Sequence, residues 1–412
     1  MKKFLYLRTV YWFNLIAGGS VGHTAGIINA LNNKVYLKVI SNDKLAEVEC
    51  PIDIVEPILI PIIPKQFCEL LYNIKIIKYC RHTNEDVIYQ RYSGFSFCGA
   101  YLARKKQIPF ILEFNSSDVW KIKYWNSNNT GFKKLVKDIY NKVLILPIVR
   151  WIEKYNILNA SMIVVVSKAL ESFLINLGAR PEKIIVIPNA VDETKYHPDI
   201  DANKIKDQYH LHDKVVLGFI GTFGEWHGAE NIVLAYGKLL EDHPEFKNNT
   251  VLFMIGDGVR MGEVIKYINH LGISENVVLT GLVPQKEGAR YMAACDILIN
   301  ATLPNPDGSE FFGSPTKLFE YMALGKAIIC SNMAQMAEII EHNVTGFLVE
   351  PGSIPSLSSA MEVLINNAGL RERLGKNARN KVLSKHTWAH NIDSILAHLG
   401  DLTGEPFLFN KD

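Results

Sequence analysis

Eleven short apolar runs, separated by longer amphipathic stretches, restrict the fold of this chain more than any other feature. FLYL near the N-terminus is followed by DVIYQR, PFILEF, SMIVVVS, KIIVIPN, VVLGFIG, VLFMIG, NVVLTG, DILIN, AIICS and GFLVE. A half-exposed strand alternates polar with apolar residues, whereas short continuous runs fit a parallel sheet covered on both faces. Between the runs, residues 229–241, 261–271, 317–324 and 356–366 have helical spacing. Strand, helix, strand repeated in this way specifies a doubly wound α/β fold, and the strands are too many for one sheet. Two Rossmann-like domains are the expectation.

The 412 residues allow two or three domains. The seam is expected in IPNAVDETKYHPD, where Pro188, Pro198 and a polar cluster separate two strand-rich halves. That division assigns residues 1–195 and 196–385 to the two domains and leaves 386–412 as a tail. Residues 371–399 read as helices with a break near Trp388.

Charge narrows the choice of partner. The 44 basic and 42 acidic residues nearly cancel, which gives no case for nucleic-acid binding. The halves differ, however: residues 1–200 carry 26 basic and 17 acidic side chains, so a net +9 is offset by −7 in the remainder. A basic half beside an acidic half points to an anionic partner or membrane surface on one side. Residues 121–154 concentrate the effect, with eight basic and two acidic residues among Trp125, Phe132, Leu135, Tyr140, Leu144 and Trp151. Such a stretch suits an anionic bilayer; it equally suits a domain-packing helix with a solvated face. The six cysteines form no CxxC pair, which spells neither a zinc knuckle nor a redox motif and fits reduced thiols in a cytoplasmic protein. The opening MKKFLYLRTV begins like a secretory leader, but Arg8 and Asn14 interrupt its apolar run. The apolar stretch at residues 143–149 ends at Arg150, far short of the ~18 residues of a membrane span.

Glycine-rich turns follow several of the expected strands. AGGSVGH places Gly18, Gly19 and Gly22 at a strand-to-helix turn, where backbone N–H groups can approach a phosphate or the segments can simply pack closely. His23 falls on the first helical turn, either structural or facing a ligand. PFILEFNSSDVW ends a strand with Glu113, Asn115, Ser116 and Asp118 at its carboxyl edge, the edge where open α/β sheets bind ligands. Glu113 there either caps backbone or faces a cleft, and Arg91 after DVIYQ either meets an anion or forms a surface ion pair. VLGFIGTFGEWHG and MIGDG put Gly221, Gly224 and Gly256 on further turns. In FFGSPTKLFEYMALGK, Pro315 suits a helix start. Lys317 in that first turn is disfavoured by the helix dipole unless an anion lies between them, and a diphosphate would be that anion. Glu320, three residues on, is placed either to accept ribose hydroxyls or to pair with Lys317 at the surface.

These segments taken in order resemble one known family. VSKALESFLINLGARPEKIIVIPNAVD, GFIGTFGEWHGAENIVLAY, MIGDG, NVVLTGLVPQKEGARYMAACDILI, SPTKLFEYMALGKAIICS, HNVTGFLVEPG and RERLGKNARNKV are similar to the successive motifs of family 4 glycosyltransferases, and AGGSVGH extends the likeness to the first strand. The resemblance implies the GT-B fold: two Rossmann-like domains facing across a cleft, with a C-terminal helix crossing back to the first. It also implies a nucleotide-sugar donor on the second domain and an acceptor on the first, retention of anomeric configuration, and neither metal nor cofactor.

Carried over by position, the resemblance assigns donor binding to Gly18, Gly19, Asn189, Gly221, Thr222, His227, Gly256 and Leu282. The same role falls to Glu310, Gly313, Ser314, Pro315, Thr316 and Glu320 on the later loop and helix. Ser20, His23, Arg91 and Asp118 fall on the acceptor side, with Glu113, Asn115 and Lys317 at the chemistry. The match departs from the family pattern in places. Thr222 and His227 stand where the family usually has Arg and Lys, and Phe312 stands eight residues before Glu320 where a sugar-binding glutamate is usual, so that glutamate is either lost or replaced by Glu310 from the loop. The basic first half and the resemblance together imply a glycan or lipid-linked acceptor, at an anionic membrane on the inner face of the plasma membrane, in bacterial surface-polysaccharide assembly. Two rivals share the motifs: a catalytically silent GT-B subunit and a sugar-nucleotide epimerase. The nucleotide base and the sugar stay open.

Overall fold

Parallel pairing organises both halves of the chain. The computed structural model describes residues 1–11, 13, 15, 18–124, 138–405 and 407. The chain divides into two units, one of Met1–Leu15, Ile27–Pro188 and Asn391–Asp412, the other of Ile16–Gly26 and Asn189–His390. In the first, β1 (Lys3–Arg8), β2 (Tyr36–Ser41), β3 (Ile52–Ile54), β4 (Val87–Arg91), β5 (Phe110–Phe114), β6 (Met162–Val165) and β7 (Ile184–Val186) form one sheet in the order β3-β2-β1-β4-β5-β6-β7. In the second, β8 (Val215–Ile220), β9 (Thr250–Ile255), β10 (Val277–Leu279), β11 (Ile297–Asn300), β12 (Ala327–Ser331) and β13 (Phe347–Val349) run in the order β10-β9-β8-β11-β12-β13. Every strand pair is parallel. Both units are therefore Rossmann-like, as the alternation of runs predicted.

All eleven apolar runs are strands, and the reason is burial on two faces. Every residue of β4, β5, β6, β9, β11 and β12 is buried. Around the second sheet, Val216 and Phe253 pack with Phe319 and Tyr321 on one face, while Leu217, Phe219 and Met254 pack with Tyr236 on the other. β2 and β3 were not legible. They occupy one edge of the first sheet, where Lys38 and Asp53 pair at 3.0 Å in partial exposure, and an edge strand need not be apolar. The leader-like N-terminus is β1, buried beyond Lys3.

The helical tail breaks at Thr387, between helices Ala368–Lys385 and Trp388–Thr403. From Asn391 on, the chain belongs to the first unit: Asn391 Nδ2 donates to the Pro188 carbonyl at 2.8 Å, and Lys34 pairs with Asp393 at 2.8 Å. Residues 189–195 belong to the second unit, since Val191 pairs with Thr387 and Asn189 bonds to Ser314. Among the described residues no helix is long and apolar enough to cross a membrane. All six cysteines are free and buried.

Candidate functional site

Strand order reverses between β1 and β4 and again between β8 and β11. In such sheets ligands bind beyond the carboxyl ends of the strands at the reversal. In the second unit that position is built by three turns. Gly221 (φ +155°) directly follows β8 and Gly256 (φ +128°) directly follows β9. A Cβ on Gly256 would lie 1.9 Å from the Gly221 carbonyl oxygen, and one on Gly221 would lie 2.8 Å from Lys317 Nζ, so only glycine admits this close approach.

Lys317 is the second residue of the helix Thr316–Ala323, and only 9 % of it is exposed. Its Nζ sits 4.2 Å from the centre of the Phe219 ring and has no hydrogen-bond partner. Burial pushes its pKa down to about 7, a shift that the Glu320 carboxylate opposes. Burial thus disfavours the charged amine, and an anion bound beside it would favour it again. The surface Lys317–Glu320 pair is corrected, because both side chains are buried. Pro315 precedes the helix and supplies no side-chain cap, and the first N–H groups of any helix lack intrahelical partners. Leu318 N–H donates to the Pro315 carbonyl at 3.1 Å, and the buried Lys317 amine lies in the same first turn, at the end of a helix whose dipole favours an anion such as phosphate.

His227 is half-buried, and its Nδ1 donates to the Thr222 carbonyl. Burial, then the Lys317 charge, pushes its pKa down to about 3, so it is neutral at pH 7. Thr222 itself is exposed. Glu310 is exposed on the loop after β11, where Asn305 Nδ2 donates to its carbonyl at 3.0 Å, and Gly313 lies against the Phe311 ring. Leu282, just past β10, is 58 % exposed.

The AGGSVGH segment joins this unit. Gly18 N–H donates to Gln285 Oε1 at 2.9 Å, and a Cβ on Gly19 would lie 2.9 Å from Thr316 Oγ1. His23 is buried edge-on to Trp388, and its Nδ1 donates to Asn189 Oδ1 at 2.6 Å. Asn189 in turn bonds Ser314 twice: its N–H donates to Ser314 Oγ at 2.9 Å and its Nδ2 to the Ser314 carbonyl. The structure thus brings Gly18, Gly19, Asn189, Ser314 and Thr316 together, with His23 bonded to Asn189. The Ser20 carbonyl accepts from Thr24 Oγ1 at 2.8 Å. Sequence reasoning missed Phe219 and Gln285; the Gly18–Gln285 bond joins residues 267 apart, and nothing local announces it.

In the first unit Glu113, at 1 % exposure, ends β5. Its Oε1 accepts from Asn115 Nδ2 at 2.7 Å and lies 3.7 Å from Arg91 Nε; its Oε2 accepts from Tyr6 Oη at 3.3 Å. The Arg91 pair is buried, which replaces the surface reading. Arg8, also buried at the end of β1, has its pKa lowered by burial and then by Arg91. Asp118 accepts from Gly94 N–H at 2.8 Å and pairs with Lys121 at 3.0 Å. Two acids went unnoticed in the sequence. Glu69 bonds Ser93 and Glu153 bonds Tyr92 and Ser117, and burial pushes their pKa values up to about 8 and about 7.

Comparison with known proteins defines the class first. Residues 17–195 match the model of Glycosyltransferase Family 4, and residues 201–381 match that of Glycosyl transferases group 1. Anabaena HepE in complex with UDP-glucose superposes with a TM-score of 0.72 at 18 % identity, over 97 % of this chain and all of that one. The fold is GT-B, and the chain belongs to the family 4 glycosyltransferases. An uncharacterized glycosyltransferase of Methanocaldococcus jannaschii is 25 % identical over 64 % of this chain, and the match spans 64 % of that relative's length. A Campylobacter jejuni 4-alpha-N-acetylgalactosaminyltransferase, named for a diphospho-undecaprenol-linked substrate, is 25 % identical over 90 % of this chain and 93 % of its own.

Proposed function

We propose that this chain moves a sugar from a nucleoside diphosphate sugar to a glycan or lipid-linked acceptor in bacterial polysaccharide assembly, with retention and without a required metal or cofactor. The observation that carries the donor half is Lys317 Nζ, buried without a hydrogen-bond partner at the start of a helix. A diphosphate there meets the amine, the helix start at Thr316 and the Gly221 turn; Gly18, Gly19, Asn189, Thr222, His227, Gly256, Gly313, Ser314, Pro315 and Leu282 complete the donor assignment. Glu320 accepts the ribose hydroxyls, and Glu310 reaches the sugar from its loop.

In the reaction, the bond between the anomeric carbon and the diphosphate oxygen breaks while the acceptor oxygen attacks from the same face. The acceptor proton passes to a diphosphate oxygen. Charge grows on the leaving group as that bond breaks, and fixed positive groups stabilise it. Ser20, His23, Arg91 and Asp118 are the acceptor-side assignment, with Asn115 beside Glu113 and Lys317 at the chemistry. Glu113 acts as a positioning residue that holds Arg91 and Asn115. The name of the Campylobacter relative supports a lipid-linked acceptor.

A panel of nucleotide sugars, screened by thermal shift and then by transfer, tests the reading; no shift and no transfer with any of them would overturn it. Replacing Glu320 by Ala is expected to weaken nucleotide binding by ~1–3 kcal/mol, the cost of losing a charged acceptor. Calorimetry reads this directly, and an unchanged affinity would remove Glu320 from the ribose.

A further inference from the structure

Residues 57–64 of the first unit, Pro-Ile-Leu-Ile-Pro-Ile-Ile-Pro, form an uninterrupted apolar segment between β3 and the helix Lys65–Tyr79. Solvent covers much of it: Leu59 is 56 % exposed and Ile62 94 %. The segment is nonetheless tied down. Ile58 N–H donates to Tyr11 Oη at 3.1 Å, and Ile63 N–H donates to the Ile60 carbonyl at 2.9 Å, closing a turn with Ile62 outermost. Phe67, three residues past the segment, packs with Ile145, Ile148 and Val149, which brings the following helix against the chain at 141–159. That neighbour also exposes apolar groups, Val143, Leu144, Trp151 and Leu158.

Charge on these helices is sorted by burial. Helix Lys65–Tyr79 and residues 141–159 contain one acid each, Glu69 and Glu153, and both are buried. Their exposed charges, Lys65, Lys75, Lys78, Lys142, Arg150 and Lys154, are all basic. Glu56, just before the segment, is the exposed acid beside it, and Lys75 Nζ reaches the Glu56 carbonyl at 2.7 Å. Large exposed apolar side chains flanked by two helical stretches whose exposed charges are all basic complement an anionic bilayer: lipid headgroups meet the cations and the apolar tips enter the hydrocarbon edge.

We propose that the 57–64 segment inserts into an anionic membrane, with residues 141–159 lying beside it on the headgroups. This deepens the lipid-linked reading and rests on it for its purpose. The test separates the two. The full chain is sedimented with phosphatidylglycerol–phosphatidylcholine vesicles at low salt and at about 1 M salt, where the screening length is only about 3 Å. Insertion predicts binding that weakens but persists at high salt. Ile60→Ser/Ile62→Ser is expected to lose roughly tenfold or more of that residual binding, since the buried apolar area supplies it. Lys142→Gln/Arg150→Gln is expected to lower only the low-salt component. A urea-unfolding midpoint of the serine variant equal to that of the wild type shows that the fold is intact, and it stays unchanged whatever the membrane result. Full release of the wild type by salt, or serine-variant binding equal to the wild type, overturns the insertion while leaving sugar transfer untouched.

Discussion

Lys317→Ala is expected to lower sugar transfer by ~10²-fold or more, in the range of deleting a charged partner of a developing anion, while the folded state is kept. Losing an amine that has no hydrogen-bond partner breaks no hydrogen bond, although the Glu320 carboxylate loses a nearby charge. The protonation state gives a second, sharper signature. In the free protein burial holds the pKa near 7, so at pH 8 most of the amine is neutral. A bound diphosphate favours the charged form and raises that pKa, so binding at pH 8 takes up a proton. Calorimetry in buffers of different ionisation enthalpy should show uptake approaching one proton, declining below pH 7 where the amine is already charged. Affinity should correspondingly fall as pH rises above 7. Lys317→Met abolishes the uptake in this account. His227 is the competitor, because its pKa near 3 would also rise beside a phosphate. If uptake and activity survive in Lys317→Met and vanish in His227→Ala, the cation is the histidine.

Arg91→Ala is expected to cost ~3–5 kcal/mol of stability, the usual penalty for stranding one partner of a buried ion pair. Glu113 sits at 1 % exposure, and its neighbours Asn115 and Tyr6 donate hydrogen bonds without neutralising its charge. Without the guanidinium the carboxylate pKa must rise, so the deficit shrinks at low pH and grows as pH rises through the new value. Arg91→Ala/Glu113→Ala should recover part of the loss. Urea unfolding of the three variants measures this, and a cost under about 1 kcal/mol for Arg91→Ala would mean that the pair is solvated after all.

The glycine and lysine assignments of the second unit differ in how they could be known. SPTKLFEYMALG announces a helix start, a lysine in its first turn and an acid on the same face, because capping and helical spacing are local properties. That the lysine lies under the Gly221 turn and over Phe219 is not local, since Phe219 and Lys317 are neighbours only once β8 and the helix Thr316–Ala323 pack. Its lowered pKa follows from the same burial and was invisible for the same reason.

What the amino-acid order determined by itself was the alternation of two-face-buried strands with helices, hence the doubly wound class and the points where chains turn on glycine. Continuous apolar runs have few other solutions, which is why the central strands were legible and the edge strands β2 and β3 were not. Tertiary structure alone decided which polar groups lost their water. It turned Glu69 and Glu153 inward on helices whose exposed charges are basic and sank the Arg91–Glu113 pair. It set His23 against Asn189, and it left the Lys317 amine dry and without a hydrogen-bond partner. Each of these depends on contacts between residues tens to hundreds of positions apart, and desolvation is a property of the packed neighbourhood that no local pattern encodes.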